Sequence, residues 1–264
     1  MYKKLKMTAL GTALIALGSI SPLILAAGTS EEASRYTPSA NVGLFSQYVF
    51  RGISYTQNKP AAQGGFDLAH DRGLYAGVWG TNVSDAALNN AVGEIDVYAG
   101  YAGTVDEITY DIGLLQFIFP GGRINGTREK YDTLEIYAGL TWSFLNLKYS
   151  RTLGDYFGFN EDSFGTGEGG SRGSSYIEAN ADYEFMPGWS VNAHVGRQKV
   201  RSYGRYDFTD YKIGVVKSLD GGWELGLAYI DTTASTSLYT VCDDAGRCKD
   251  TGDNKWVAHV KRMF

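Results

Sequence analysis

Residues 254–264, NKWVAHVKRMF, alternate in character from one position to the next. Counted back from Phe264, every second residue is Arg262, Val260, Ala258 and Trp256; between them lie Met263, Lys261, His259, Val257 and Lys255. One face is mostly apolar with an aromatic ring at each end, and the other is largely polar and basic. The pattern predicts a β-strand whose apolar band sits in a hydrocarbon layer between two aromatic girdles, the closing strand of a membrane β-barrel.

Upstream, the same alternation recurs. A first strand is predicted over 40–51, with Val42, Leu44, Tyr48 and Phe50 on one face, and a second over 61–70, ending at the hairpin turn Asp71-Arg72-Gly73. In the third, 74–83, Leu74/Val78 and Tyr75/Trp79 compete for the buried face. The fourth, 93–102, sets Ile95, Val97, Ala99 and Tyr101 against Glu94, Asp96, Tyr98 and Gly100; the fifth follows from Ile108 after a turn at Gly103–Glu107. The sixth, 132–144, opposes Leu134, Ile136, Ala138, Leu140 and Trp142 to Glu135, Tyr137 and Gly139, and Leu145-Asn146 turns it into the seventh, 147–155. Further strands cover 174–185, the stretch from Trp189, 207–218 and the stretch from Trp223.

The total is about twelve, an even number as a closed single-chain barrel requires. Connections alternate as well: short turns near 72, 104, 145, 187 and 220, longer loops near 56, 87, 125, 165, 203 and 242. The predicted class is all-β, a transmembrane antiparallel up-and-down barrel over 40–264. Short turns would face the periplasm and long loops the exterior, and the last strand would pair with the first along Asn41–Arg51.

Residues 1–27 read as a signal peptide: Lys3, Lys4 and Lys6 precede an apolar run from Ala9 to Ile20, and small residues at Ala26–Gly28 offer a cleavage site. A short polar segment, 28–39, follows. Without those three lysines the net charge falls from −5 to −8, 21 bases against 29 acids, which argues against nucleic acid as a partner. Tyr (19) and Gly (34) are abundant and Pro (5) scarce, as suits a sheet with interfacial aromatics and tight turns. Cys242 and Cys248 are the only cysteines and read as one disulfide in an exported protein.

Within 41–83, the runs Tyr48-Val49-Phe50-Arg51-Gly52-Ile53-Ser54, Pro60-Ala61, Gln63-Gly64-Gly65, His70, Gly73-Leu74-Tyr75 and Trp79 resemble the TorF porin family of exported proteobacterial proteins. The resemblance implies an outer-membrane channel.

The inward faces should line the lumen. On the parities above they carry the bases Arg51, Lys148, Lys212, Lys255 and Lys261. Against these stand Asp67, Glu94, Asp96, Asp111, Glu135, Glu178, Asp182, Glu184 and Glu224, with His194 beside them. Lys255 and Lys261 are expected to face Arg51 rather than a carboxylate. A mildly acidic bore suits passive diffusion of small hydrophilic solutes with some preference for cations. The alternative is that acids and bases pair across the lumen and fill it, leaving a structural or adhesive barrel.

A lipid-modifying enzyme would need a Ser–His pair at the outer leaflet. Of the three histidines, His70, His194 and His259, the first lies beside a periplasmic turn and the second points into the lumen, so no catalytic residue is assigned. Gly165-x-Gly167-x-x-Gly170 mimics a dinucleotide fingerprint but lacks a following helix, and Asp243, Asp244, Asp250 and Asp253 fit no calcium loop. No cofactor or metal is expected. Expected partners are outer-membrane lipid and lipopolysaccharide, small hydrophilic solutes and, through the terminal Phe264, which resembles its recognition signal, the barrel-assembly machinery.

Overall fold

The computed structural model describes residues 35–164 and 169–264. The proposed signal peptide and part of the Gly165–Gly170 motif lie outside them.

Twelve antiparallel strands close into one barrel: β1 (Tyr36–Phe45), β2 (Ala61–His70), β3 (Leu74–Thr81), β4 (Glu94–Val105), β5 (Ile108–Ile118), β6 (Thr133–Trp142), β7 (Leu145–Thr152), β8 (Ser175–Met186), β9 (Trp189–Lys199), β10 (Phe208–Leu219), β11 (Trp223–Thr232) and β12 (Lys255–Met263). Each strand pairs with its sequence neighbour, and β12 closes on β1. Closure gives every barrel strand a neighbour on both sides, which is the condition for a sheet to sit in lipid. No helix among the described residues is long and apolar enough to cross a membrane.

The period-two alternation sorts the two faces. Leu68, Leu74, Val78, Val97, Ile112, Leu140, Leu147, Ile177, Ile213 and Leu227 all point outward and exposed. An exposed apolar belt of this kind is a lipid-facing surface. Trp142, Phe144, Tyr183, Phe185, Trp189 and Trp223 ring the short-turn end, while Tyr211 and the Tyr229–Trp256 pair lie toward the long loops. The ambiguity in β3 resolves in favour of Leu74 and Val78 outward and Tyr75 and Trp79 inward, since β3 pairs with β4 at Val78↔Val97 and shares its apolar face. Leu145 begins β7, so the turn there is Ser143-Phe144, two residues earlier than predicted.

The first strand departs most from expectation. It begins at Tyr36, inside the segment read as polar lead-in, and ends at Phe45. Its ladder with β12 spans only Asn41↔Met263 to Phe45↔His259. Beyond Phe45 the chain folds into the bore, where Tyr48, Val49 and Phe50 are at most 3% exposed. The apolar alternation that extends the strand in the sequence is real, but here it faces a protein interior instead of lipid.

The long loops follow this segment inward. Tyr48 and Phe50 pack with Leu88 and Ala91, Phe119, Tyr156 and Phe157, and Val200, Tyr203 and Tyr206, one group from each of four further loops. The aromatic cluster meets the barrel wall at Leu115 and Phe117 and fills the long-loop half of the bore. The short-turn half keeps a polar wall.

Candidate functional site

Residues 46–60 form the centre of the interior. Val49 and Phe50 pair with Ile53 and Ser54 around a tight turn at Arg51 and Gly52, whose φ values are +46° and +79°. Glycine suits the second position because a Cβ there would press on Asp210 and Thr232 of the wall, in a conformation other residues resist. The segment is pinned on several sides. Lys255 Nζ donates to the Gly52 carbonyl at 2.8 Å, the Ser54 amide donates to Thr251 O at 2.8 Å, and Tyr48 Oη donates to Glu94 Oε1 at 2.9 Å. Burial, with Glu94 and Asp96 beside it, pushes the Tyr48 hydroxyl well above its ordinary pKa, so it remains a donor.

Arg51 reaches across the bore. Its Nη1 and Nη2 donate to Glu135 Oε1 and Oε2 at 2.9 and 2.7 Å, and Nη1 also donates to Gln198 Oε1 at 3.0 Å. The guanidinium carbon lies 4.2 Å from the Tyr176 ring centre and 4.8 Å from that of Phe50. Both partners of the ion pair are buried. Burial alone would lower the Arg51 pKa, but Glu135 outweighs it and holds the guanidinium charged. A fork-to-fork pair in this setting is strong because water cannot compete for it. The cavity beside it, bounded by Val49, Leu115, Lys148, Glu178 and Ile230, measures about 40 Å³, room for a water or two and not for a solute.

Below Arg51 a second network lines the wall. His194 Nε2 lies 2.9 Å from Asp210 Oδ2 and 3.0 Å from Tyr176 Oη, and its Nδ1 lies 2.7 Å from Asn180 Oδ1. Tyr176 Oη donates to Asp210 Oδ1 at 2.8 Å, and the hydroxyl end of its ring lies against Gly196, where any Cβ would collide with it. Lys148 Nζ sits 4.2 Å over the Tyr137 ring. Tyr75 bonds to Asp111 and Tyr137, and Tyr98 bonds to Asp67.

Glu94, Asp96, Glu135, Lys148, Glu178, Glu224 and Lys255 are buried on the inward face, as the parities predict. Asp67, Asp111, Asp182, His194, Lys212 and Lys261 are inward and partly buried. Arg51 is also interior, but on the inward-folded segment and not on a strand. Three expectations change. Arg51 meets a carboxylate, Glu135, because the fold of 46–60 carries it across the bore. Lys261 stands opposite Glu224 in the β11–β12 ladder, far from Arg51 in register. Glu184 lies exposed at the short-turn end, where its side chain accepts the Gly188 amide and caps a turn.

Asp210, buried among the described residues, and Tyr176 were missed. Once Lys212 is placed inward, period two places Asp210 inward too; nothing in the sequence signals the partnership with His194. His70 bonds to Asp71 and packs on Tyr36, and His259 stacks on Phe45. Cys242 and Cys248 are bonded and staple a two-stranded hairpin in the last long loop. Phe264 exchanges backbone hydrogen bonds with Ala40 and so ends the closing ladder.

The chain belongs to a bacterial family described as being of unknown function, Gcw_chp, whose pattern matches residues 29–264. No curated protein matches the sequence. Among solved structures, the KdgM porin is 11% identical, with a TM-score of 0.53 over 86% of this chain and 99% of that one. The KdgM porin in complex with disordered oligogalacturonate gives 11% and 0.52 over the same shares. At this identity the likeness is one of fold: these proteins share a barrel.

Proposed function

We propose that this protein is a porin-like channel of a Gram-negative outer membrane for small hydrophilic solutes, closed at Arg51 in the state described, with a mild preference for cations. One observation carries the reading. The strands that present Leu, Ile and Val to the outside present Asp111, Asp182 and Lys261, none of them fully buried, to the short-turn half of the bore. Ionised groups facing a dry interior would cost several kcal/mol each, so such a wall implies water in the bore. The barrel shared with the KdgM porin, the resemblance to the TorF porin family and the export-type first 27 residues support the same assignment.

The inward acids outnumber the bases, which suits neutral or cationic solutes better than an anionic chain such as the oligogalacturonate of the KdgM complex. Catalysis has no support in the histidine environments. The aromatic rings at both ends of the lipid belt fit a membrane with lipopolysaccharide on one side, and Phe264 fits an assembly signal.

Purified, refolded protein in planar bilayers tests the reading: discrete current steps and a cation-selective reversal potential are expected. A folded barrel that never conducts would leave a structural barrel, the reading that the aromatic filling of the long-loop half favours. Clear anion preference would refute the charge argument.

A further inference from the structure

The wall that receives Arg51 is a complete receptor for a guanidinium group. Glu135, on β6, offers one carboxylate oxygen to each terminal nitrogen of the fork. Gln198, on β9, is oriented by its own amide nitrogen, which donates to Ser175 O and Lys199 O at 3.1 Å each; its oxygen is thereby left to accept from the guest. Tyr176, on β8, presents a ring face while its hydroxyl is tied to Asp210. All three stand on barrel strands and are at most 2% exposed. The guest stands on a loop turn.

Receptor groups on rigid strands facing a guest on a detachable loop form a preorganised site with a tethered occupant. A planar fork matched by a carboxylate, an amide oxygen and a ring face selects guanidinium over a compact ammonium. Once Arg51 leaves, Glu135, Glu178 and Asp210 line the space, with Lys148 and Lys212 beside them, so selection rests on the planar fork of acceptors and ring and not on net charge.

We propose that Glu135, Gln198 and Tyr176 form a binding site for solutes bearing a guanidinium head, and that Arg51 holds it as an internal surrogate. A solute of that class would compete with Arg51 and free the segment 46–60. The transport consequence rests on the channel reading above; the binding itself does not.

The test uses the full barrel in detergent micelles with Arg51→Ala, methylguanidinium as probe and methylammonium and sodium as controls, read by calorimetry. Saturable binding of methylguanidinium is expected, at least about tenfold tighter than methylammonium and weakened at least about tenfold by adding Glu135→Gln. Equal binding of the two probes, or indifference to Glu135→Gln, would overturn the site. If Arg51→Ala does not fold, the parent barrel carrying Val49→Cys serves: millimolar methylguanidinium should accelerate thiol labelling where equal sodium does not, and equal rates would overturn the site. Binding without conductance would sink the channel reading and leave the site standing; conductance without binding would do the reverse.

Discussion

Replacing Glu135 with alanine should release the inward-folded segment. Arg51 is 9% exposed and Glu135 2%, so the substitution strands a guanidinium in a site with room for only a water or two. Breaking a buried pair from one side costs about 3–5 kcal/mol. Arg51 recovers hydration only by leaving, so the cost appears as a shift toward the undocked state. Asp210 and Gln198 remain nearby and compensate in part, which points to the lower figure. About 3 kcal/mol corresponds to roughly a 150-fold rise in the undocked population.

Val49 provides the readout, because it is 0% exposed and packs against Ile230 and Val257. With the native cysteines bonded to each other, Val49→Cys carries the only free thiol. Maleimide labelling of Val49→Cys should accelerate by roughly two orders of magnitude when Glu135→Ala is added, and open-channel current should rise in parallel. An unchanged labelling rate in a demonstrably folded barrel would refute the idea that this ion pair latches the segment.

Other substitutions probe the remaining levels. Leu227→Arg places a charge in the lipid belt and should cost about 2–4 kcal/mol, seen as loss of the heat-modifiable folded band on gels. Gly196→Val drives the Tyr176 ring off its seat; about 1–3 kcal/mol of stability should be lost in denaturant titration, together with the guanidinium site. Serine at both Cys242 and Cys248 should loosen only the stapled loop, by about 2 kcal/mol, read as faster proteolysis within 233–254 at unchanged barrel stability. Deleting Phe264 should lower membrane assembly in cells before it lowers conductance of the refolded protein; normal assembly would remove its role as a signal.

Most of the barrel was legible residue by residue, because one face of every strand meets lipid and the other does not. Glu94 and Asp96, Glu135, Lys148, Glu178 and Lys255 fell on the correct side from period two alone. Alternating connection lengths gave the strand count and the two ends. The errors gathered where that contrast disappears. Tyr48 and Phe50 are apolar and alternate, yet they are buried in the bore; alternation reports that a residue avoids water, not which apolar medium it enters. Glu184 had the inward parity but stands past the lipid belt, where parity no longer sorts polar from apolar.

The sequence by itself thus determined a closed membrane barrel, its lipid face and its mixed, acidic inner wall, since these follow from local periodicity and from the need to satisfy every backbone group in lipid. Only the tertiary structure decided that the chain after Phe45 turns inward and that Arg51 docks on Glu135, 84 positions away, between Gln198 and Tyr176. No local pattern encodes that encounter. It depends on the curvature that brings β6, β8 and β9 around one bore and on a turn at Gly52 that aims a single side chain across it.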